Sequence, residues 1–232
     1  MLSIVIPALN EEKYLPRLLD SIKKQTYKNY EIVIADADSK DNTRKIAKKY
    51  GCKVIKGGIP AVGRNNGAKA AKGDILLFMD ADAIIGEKFL ENGLNEMKSR
   101  KLDITGVYIY PDTNRLLDHI FLGMYNLLLF STQFYYPHAV GSGIFCRKWL
   151  HKKVRGFDGN VRLGEDADYV KRCGKVGNFR ILRTAKLRFS MRRYKKGRIK
   201  TGLGLIGWEL HRIFFGEIKT DIFKYGWDNH EK

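Results

Sequence analysis

Residues 75–82 read ILLFMDAD, five consecutive apolar residues followed by two aspartates one residue apart. A short uninterrupted apolar run is typical of a strand that is buried on both faces of a sheet. At the end of such a strand, Asp80 and Asp82 can point to the same side. Two carboxylates there suit Mg²⁺ or Mn²⁺, which complete their coordination with phosphate oxygens and water. The alternative is a pair of acids in a loop. It would bury two unpaired carboxylates at the end of the strand, which costs a large free energy.

The residues on either side of this stretch alternate apolar strands with amphipathic helices. We expect strands at residues 2–6, 31–35, 53–55, 75–79 and 104–110, and helices at residues 43–50, 61–71 and 86–100. This alternation predicts a single α/β domain with a mostly parallel central sheet flanked by helices. Ligands bind such sheets beyond the carboxyl ends of the strands, where Asp36 and Asp80 fall.

The tripeptide Asp-Ala-Asp occurs three times, at residues 36–38, 80–82 and 166–168. Asp36 follows the second predicted strand and suits a hydrogen-bond acceptor for a base or a ribose. Asp166 falls at a predicted helix start, where a carboxylate could serve as the general base for an acceptor hydroxyl. An N-cap with acidic first-turn residues would produce the same local pattern.

The net charge of +18 is unevenly spread, because thirteen basic residues and no acidic ones lie between Lys171 and Lys200. Such a stretch favours an anionic partner: a diphosphate, a lipid phosphate, an anionic membrane or a nucleic acid. A merely solvated face is the alternative. Three widely spaced cysteines and the absence of a secretory leader in this sequence lead us to expect a cytoplasmic protein.

Residues 119–146 contain no Lys, Arg, Asp or Glu. We expect this segment to form a buried or acceptor-lining helix. The alternative is a segment that lies at a membrane interface. Residues 201–232 interleave aromatic and basic residues, which predicts a helical tail that packs on the sheet or lies on a membrane surface. We therefore expect one domain at residues 1–200, which consists of the halves 1–100 and 101–200, and a C-terminal helical tail at residues 201–232.

The order of these motifs resembles that of the inverting, GT-A-fold glycosyltransferases of family 2. The resemblance covers roughly residues 2–190. Its blocks are residues 4–12 (IVIPALNEE), residues 31–36 with 39–43, residues 63–67 with 71–74, residues 75–82, and the acceptor-side residues 141–143, 156–158 and 164–166.

The resemblance implies a role for each matching residue. Asp166 would be the catalytic base, Asp82 the principal metal ligand and Asp80 a contact to ribose or diphosphate through that metal. The donor nucleotide and its diphosphate would be bound by residues of these blocks: Pro7, Ala8, Asn10, Glu11, Asp36, Arg64 and Ala81. Arg192 and Arg193 resemble the basic motif that closes over the donor diphosphate in many members of the family. Guanidinium groups suit that task because they pair bidentately with phosphate oxygens.

The same resemblance implies a nucleotide-diphospho-sugar donor and a divalent cation. The neutral segment 119–146, the basic stretch and the aromatic tail together suggest a glycan or polyprenyl-lipid-linked acceptor at the cytoplasmic face of a membrane. Ala37 stands where members often have a second acid, which leaves UDP and GDP donors both open. Tyr194 replaces the Trp of processive synthases, which argues against processive synthesis. A sugar nucleotidyltransferase would need a Gly-rich basic loop after the first strand, and residues 7–11 (PALNE) are not one. A nucleic-acid-binding module would explain the charge but not the acids at strand ends.

Overall fold

The computed structural model describes residues 1–161 and 164–192 of the chain. Its strands are β1 (Leu2–Ala8), β2 (Tyr30–Asp36), β3 (Lys53–Lys56), β4 (Ile75–Phe78), β5 (Ile84–Ile85), β6 (Ile104–Pro111), β7 (Ile144–Arg147) and β8 (Phe179–Phe189). Its helices are α1 (Leu15–Lys23), α2 (Thr43–Lys49), α3 (Pro60–Ala70), α4 (Phe89–Ser99), α5 (Leu116–Thr132), α6 (Lys148–Lys153) and α7 (Glu165–Gly174).

The strands form one sheet in the order β3-β2-β1-β4-β7-β6-β8-β5. The strands β1 to β4 pair in parallel, as the alternating pattern of the first hundred residues predicts. Beyond β4 the sheet is mixed, because β7 runs antiparallel to both β4 and β6 while β6 and β8 are parallel. The predicted α/β class with flanking helices is confirmed; the pairs among β1 to β4 are all parallel, whereas the rest of the sheet combines antiparallel pairs with the parallel pair of β6 and β8.

Helices cover both faces of the sheet. On one face the side chains of Leu2, Ile4 and Ile6 pack with the apolar stripe of α1, including Leu15 and Leu18. On the other face Val5 and Phe78 pack with residues of α3, α6 and α7. Successive side chains of a strand point to opposite faces, so the alternating residues of β1 enter both cores. All seven residues of β1 are buried, as expected of a central strand.

The helix predicted over residues 86–100 begins three residues later, at Phe89. Ile84 and Ile85 pair with β8, and the chain then turns so that Phe89 N–H donates to the Gly86 carbonyl. Two apolar residues are too short a run to be recognised as a strand from their pattern alone.

Helix α5 is only half buried, so of the expectations for residues 119–146 a fully buried helix is wrong, while an acceptor-lining helix and an interfacial segment stay predictions. Leu122 and Leu129 lie in the core, whereas Leu117 is 74% exposed and Leu127 is 67% exposed. Among the described residues, no helix combines the length and the apolar character that crossing a bilayer requires. The predicted tail, residues 201–232, lies outside the described residues, as does Arg193.

Candidate active site

The sequence-predicted acids gather at one edge of the sheet. Ala8 is the register partner of Asp36 where β1 and β2 end, and Asp80 follows the end of β4. Ser142 fixes the start of the loop after β4, because its Oγ accepts the Asp80 N–H at 3.1 Å. Since β1, β2 and β4 are parallel, their carboxyl ends meet at this edge, as the strand pattern predicts.

Two loops at this edge are joined by reciprocal hydrogen bonds. Asn10 N–H donates to Ser39 Oγ at 3.0 Å, and Asn10 Oδ1 accepts the Lys40 N–H at 2.8 Å. Asn10 has a left-handed backbone with φ of 53°, which asparagine tolerates better than most residues. Glu11 N–H donates to Thr43 Oγ1 at 2.8 Å. These bonds hold the loop after β1 against the loop after β2 and fix the backbone on both sides of Asp36.

Asp41 reinforces the same pair of loops. Its carboxylate accepts the N–H of Glu12 at 3.0 Å and the N–H of Thr43 at 2.9 Å. Burial alone would raise the pKa of Asp41, but the hydrogen bonds from Thr43 and the backbone outweigh burial and lower it. Asp41 is therefore held as a carboxylate, which keeps it an acceptor for those bonds.

Asp36 is 4% exposed and has one oxygen without a hydrogen-bond partner among the described residues. Its Oδ1 accepts the Ser39 N–H at 3.1 Å and lies 3.4 Å from Arg44 Nε, while Oδ2 is buried and unpaired. Gly57 N–H donates to the Asp36 carbonyl, and a side chain on Gly57 would collide with that backbone. A buried acceptor without a donor is costly in isolation, so it marks a place where a ligand N–H or O–H would fit.

Pro7, Ala8 and Ala81 contribute shape rather than charge. Pro7 pairs in register with Ala35 on β2, and both Pro7 and Ala8 are buried. Ala81 is 3% exposed and packs in the core between the two aspartates of the motif. Its burial turns residues 80–82 so that both carboxylates lie outside the core.

Arg64 is the centre of a buried charged cluster. It is 4% exposed; one terminal nitrogen donates to Glu165 Oε1 at 2.7 Å and the other donates to Asp80 Oδ1 at 3.0 Å. Burial alone would lower the pKa of Arg64, but the carboxylates of Asp80, Glu165 and Asp166 outweigh burial and raise it. Arg64 thus joins the end of β4 to the start of α7 as a permanent cation.

The glycines of α3 explain how Arg64 reaches this position. Gly63 and Gly67 lie four residues apart on one face of α3, and added side chains there would meet Pro7 and Val5 of β1. The bare face lets α3 lie close against the sheet. Gly141 completes the arrangement, because a side chain at that position would collide with Arg64 and come within 3.3 Å of Asp166 Oδ2.

Arg192 contacts the second aspartate of the pair, Asp82, whereas Arg64 contacts the first, Asp80. Its two terminal nitrogens bind the two oxygens of Glu11 at 3.0 Å and 2.6 Å, and its Nε lies 2.8 Å from Asp82 Oδ2. The guanidinium also stands 4.4 Å from the centre of the Tyr14 ring. The structure thus brings together three of the residues that the sequence assigns to donor and metal binding: Glu11, Asp82 and Arg192.

Asp166 and Glu165 occupy the first turn of α7, after Gly164 with its left-handed φ of 78°. Asp166 Oδ1 accepts the Ala167 N–H at 2.8 Å, and Asp166 is close enough to Arg64 to raise its pKa. Sequence reasoning missed Glu165. Its only sequence signal is its place next to Asp166, since its bond to Arg64 spans 101 positions of the chain. Asp168 is held within its own helix by Arg172 at 2.7 Å.

The carboxylates fit a metal that takes most of its ligands from a substrate. No group of three or more His, Cys, Asp or Glu side chains within residues 1–161 and 164–192 is placed to hold an ion. Asp80 and Asp82 are two carboxylates at one edge, and Mg²⁺ sites commonly use one or two carboxylates with phosphate oxygens and water. The donor set therefore fits such an ion when a diphosphate accompanies it.

Comparison with known families identifies the chain. The family described as Glycosyl transferase family 2 matches residues 3–155, which run from β1 through α6 and include Asp80 and Asp82. The chain belongs to glycosyl transferase family 2. The resemblance drawn from the sequence blocks is thereby confirmed at the level of the family.

One protein similar to this family 2 chain is the minor teichoic acid biosynthesis protein GgaB of Bacillus subtilis. The two are 27% identical over 228 residues, covering 91% of this chain and 25% of GgaB. The chain thus spans only a quarter of that relative's length.

Two solved structures share the fold. Residues 1–349 of S. aureus TarS, in complex with UDP-GlcNAc, superpose with a TM-score of 0.68 at 21% identity, covering 82% of this chain and 58% of that one. The mannosyltransferase PcManGT of Pyrobaculum calidifontis, in complex with GDP-Man and Mn²⁺, superposes with a TM-score of 0.70 at 18% identity, covering 84% and 58%. At these identities the superpositions establish a common fold.

Proposed function

We propose that the chain is the sugar-transfer domain of an inverting, metal-dependent glycosyltransferase that uses a UDP- or GDP-linked sugar. One observation carries the proposal. A single buried guanidinium, that of Arg64, binds the metal-motif acid Asp80 and the helix start that bears Asp166. The proposed leaving-group site and the proposed base thus belong to one charged cluster.

The donor nucleotide would lie across the carboxyl ends of β1 and β2. The unpaired Asp36 Oδ2 would accept an N–H of the base, and the joined loops that contain Asn10 and Glu11 would form the wall of its pocket. TarS and PcManGT, which share this fold, have been solved with a UDP-sugar and with a GDP-sugar respectively. The two complexes support a nucleotide-sugar donor for this chain, and the proposal includes both UDP- and GDP-linked sugars.

The chemical step would be a single displacement. Asp166 accepts the proton of an acceptor hydroxyl, and that oxygen forms a bond to the anomeric carbon of the sugar. The bond from that carbon to the diphosphate oxygen breaks, and the nucleoside diphosphate leaves with the electron pair. Attack opposite the leaving group inverts the configuration at the anomeric carbon.

Arg192 would stabilise the negative charge that develops on the departing diphosphate, since its guanidinium matches phosphate oxygens in a bidentate manner. To do so it must exchange at least part of its present contact with Glu11. Asp80 and Asp82 would hold a divalent cation, which when bound supplies Lewis-acid stabilisation of the same diphosphate oxygens. The Mn²⁺ in the PcManGT complex supports that assignment.

The proposed acceptor is a hydroxyl on a glycan or on a polyprenyl-lipid-linked glycan, reached from the cytoplasmic face of a membrane. GgaB is named for teichoic acid biosynthesis, which supports a polymer acceptor in this family. The high positive charge of the chain supports an anionic acceptor or an anionic surface near it.

A donor panel with matched variants tests the proposal. The wild-type chain, Asp166→Asn and the exposed control Asp20→Asn are incubated with UDP- and GDP-sugars and Mn²⁺. Transfer or slow donor hydrolysis by the wild type and the control, with a loss of at least about 100-fold in Asp166→Asn, is expected for a general base. Calorimetry must show that Asp166→Asn still binds the nucleotide. Full turnover in that variant, or retention of the anomeric configuration by NMR, rules the assignment out.

A further inference from the structure

Helix α5 presents an apolar face to solvent. We define the α5 face by six residues: Leu116, Leu117, Ile120, Met124, Leu127 and Phe130. Their exposed fractions run from 41% for Phe130 to 74% for Leu117. At 3.6 residues per turn they fall within an arc of about 140°, opposite the buried side chains of the same helix. Contiguous exposed apolar patches of this kind mark interaction surfaces.

The α5 face carries no charge. Asp118 is the only acidic residue of the helix, and it lies on the opposite side, 5% exposed, where its Oδ2 accepts the Thr113 hydroxyl at 2.6 Å. Asn126 also points inward and binds both the N–H and the carbonyl of Ile109 on β6. Asp118 and Asn126 therefore serve the attachment of α5 to the domain, and the six residues of the α5 face are leucine, isoleucine, methionine and phenylalanine.

Cations flank α5 in the chain or contact aromatic residues that precede and follow it. Arg115 directly precedes the helix and is exposed. After the helix, the exposed ring of Phe134 lies 4.5 Å below the Arg180 guanidinium, and Tyr110 on β6 lies 5.4 Å from Lys186 Nζ. Both basic residues belong to β8, which also carries the exposed Arg183. An apolar face that is accompanied by arginines and a lysine complements a surface that is apolar inside and anionic outside.

We propose that the α5 face docks the chain on an anionic phospholipid surface, with the leucines and phenylalanine entering the acyl boundary and Arg115, Arg180 and Lys186 contacting lipid phosphates. A helix of 17 residues that remains tied to β6 through Asn126 lies on such a surface rather than across it. Salt screens the attraction between each basic residue and the lipid phosphates. Vesicle binding should therefore weaken as the salt concentration rises.

Docking in this orientation brings the charged cluster to the lipid surface. Since β7 is antiparallel to both β4 and β6, the end of β6 lies at the same sheet edge as Asp80. Helix α5 starts shortly after that end, and the intervening Asp112 accepts the N–H of Met191, the neighbour of Arg192. The N-terminal end of the α5 face is therefore next to the site, where a lipid-borne molecule would arrive.

Flotation of the full chain with vesicles tests the docking without donor, acceptor or turnover, so its outcome is separate from that of the transfer reaction. Vesicles of phosphatidylglycerol and phosphatidylcholine are compared with phosphatidylcholine alone. Leu117→Gln with Leu127→Gln is expected to reduce partition onto anionic vesicles at least about 10-fold, because two exposed leucines lose their apolar insertion. The control Trp149→Gln, 47% exposed on α6, should leave partition unchanged.

Arg180→Gln with Lys186→Gln is expected to reduce the preference for anionic over neutral vesicles. No partition of the wild type onto either vesicle, or equal partition of the leucine variant, overturns the proposal. Light scattering over a range of protein concentrations tests whether a second copy of the chain, rather than a lipid surface, covers the α5 face. A dimer that the leucine variant abolishes, without vesicle binding by the wild type, assigns the face to self-association and overturns the lipid docking.

Discussion

Arg192 Nε lies 2.8 Å from Asp82 Oδ2 while the rest of its guanidinium holds Glu11 in a bidentate pair. The acid that the sequence assigns to the metal is therefore paired with an arginine. Arg64 pairs in the same way with Asp80. Two guanidiniums stabilise the aspartate pair at short range, which explains how a half-buried pair of like charges persists in the fold.

Arg192→Gln is expected to increase the affinity of the donor-free chain for Mn²⁺ about 5-fold, on the order of 1 kcal/mol, because the ion then no longer competes with a guanidinium for Asp82. The same variant should bind nucleotide sugar more weakly, since it loses a diphosphate partner. Calorimetric titration with Mn²⁺ alone and then with donor measures both effects. Arg147→Gln, which removes a different arginine paired with Asp103, serves as the control. An unchanged or reduced Mn²⁺ affinity would contradict the proposed competition.

Much of this arrangement could be predicted from the sequence, because apolar runs and the acids that follow them are local signals. Strands β1 to β4 are short runs of apolar residues, and a parallel sheet places their carboxyl ends together. The sequence therefore predicts that Asp36 and Asp80 lie at one edge of the sheet. It does not predict their distances from the arginines, because a contact such as that between Arg64 and Glu165 joins residues far apart in the chain and leaves no periodic pattern.

The outward side of α5 could not be predicted for a different reason. Its apolar residues surround most of the helix, and such a composition is typical of a buried helix. Periodicity cannot separate the side that packs on β6 from the side that meets solvent when both are apolar. The two sides are distinguished by the contacts of Asp118 with Thr113 and of Asn126 with Ile109, which join the inner side of α5 to the domain.

Arg64→Met is expected to destabilise the fold by about 3–5 kcal/mol, because it leaves Asp80 and Glu165 without the cation that offsets their burial. Glu165→Gln should cost less, about 1–2 kcal/mol, since the amide oxygen can still accept from Arg64. Urea unfolding followed by circular dichroism measures both, with the exposed Arg17→Met as the control. A double variant whose loss equals the sum of the two single losses would show that the residues are not coupled.

Asp36→Asn should leave the stability of the donor-free chain nearly unchanged and weaken nucleotide binding at least about 10-fold. In Asp36→Asn the remaining oxygen can still accept the Ser39 N–H, and only the 3.4 Å ion pair with the half-exposed Arg44 weakens. An amide N–H in place of the unpaired Oδ2 repels a base N–H. Asp38→Asn is a matched control, because Asp38 is exposed and its left-handed φ of 62° suits asparagine. Calorimetry with UDP and GDP decides the outcome. Equal affinity of Asp36→Asn and wild type for both nucleotides would remove Asp36 from base recognition.

His151 makes the stability of the fold depend on pH below neutrality. Its Nδ1 lies 2.9 Å from the Tyr169 hydroxyl, and burial, with smaller effects from Arg172 and Lys148, lowers the pKa of His151 from 6.5 to about 4. A histidine whose pKa is lower in the folded state contributes its full stability above pH 6.5. Below that pH the unfolded chain binds a proton that the folded chain does not, so stability falls until about pH 4.

His151→Gln removes that titration and should therefore flatten the dependence of stability on pH. Between pH 7 and pH 4.5 the wild type is expected to lose about 2.5 kcal/mol more than the variant, as the difference in pKa implies. Urea unfolding at a series of pH values measures the two slopes, and carboxylates common to both proteins cancel in the comparison. His119→Gln, at an exposed position on α5, should retain the wild-type slope. Parallel curves for His151→Gln and wild type would show that His151 takes up its proton in the folded chain as readily as in the unfolded one.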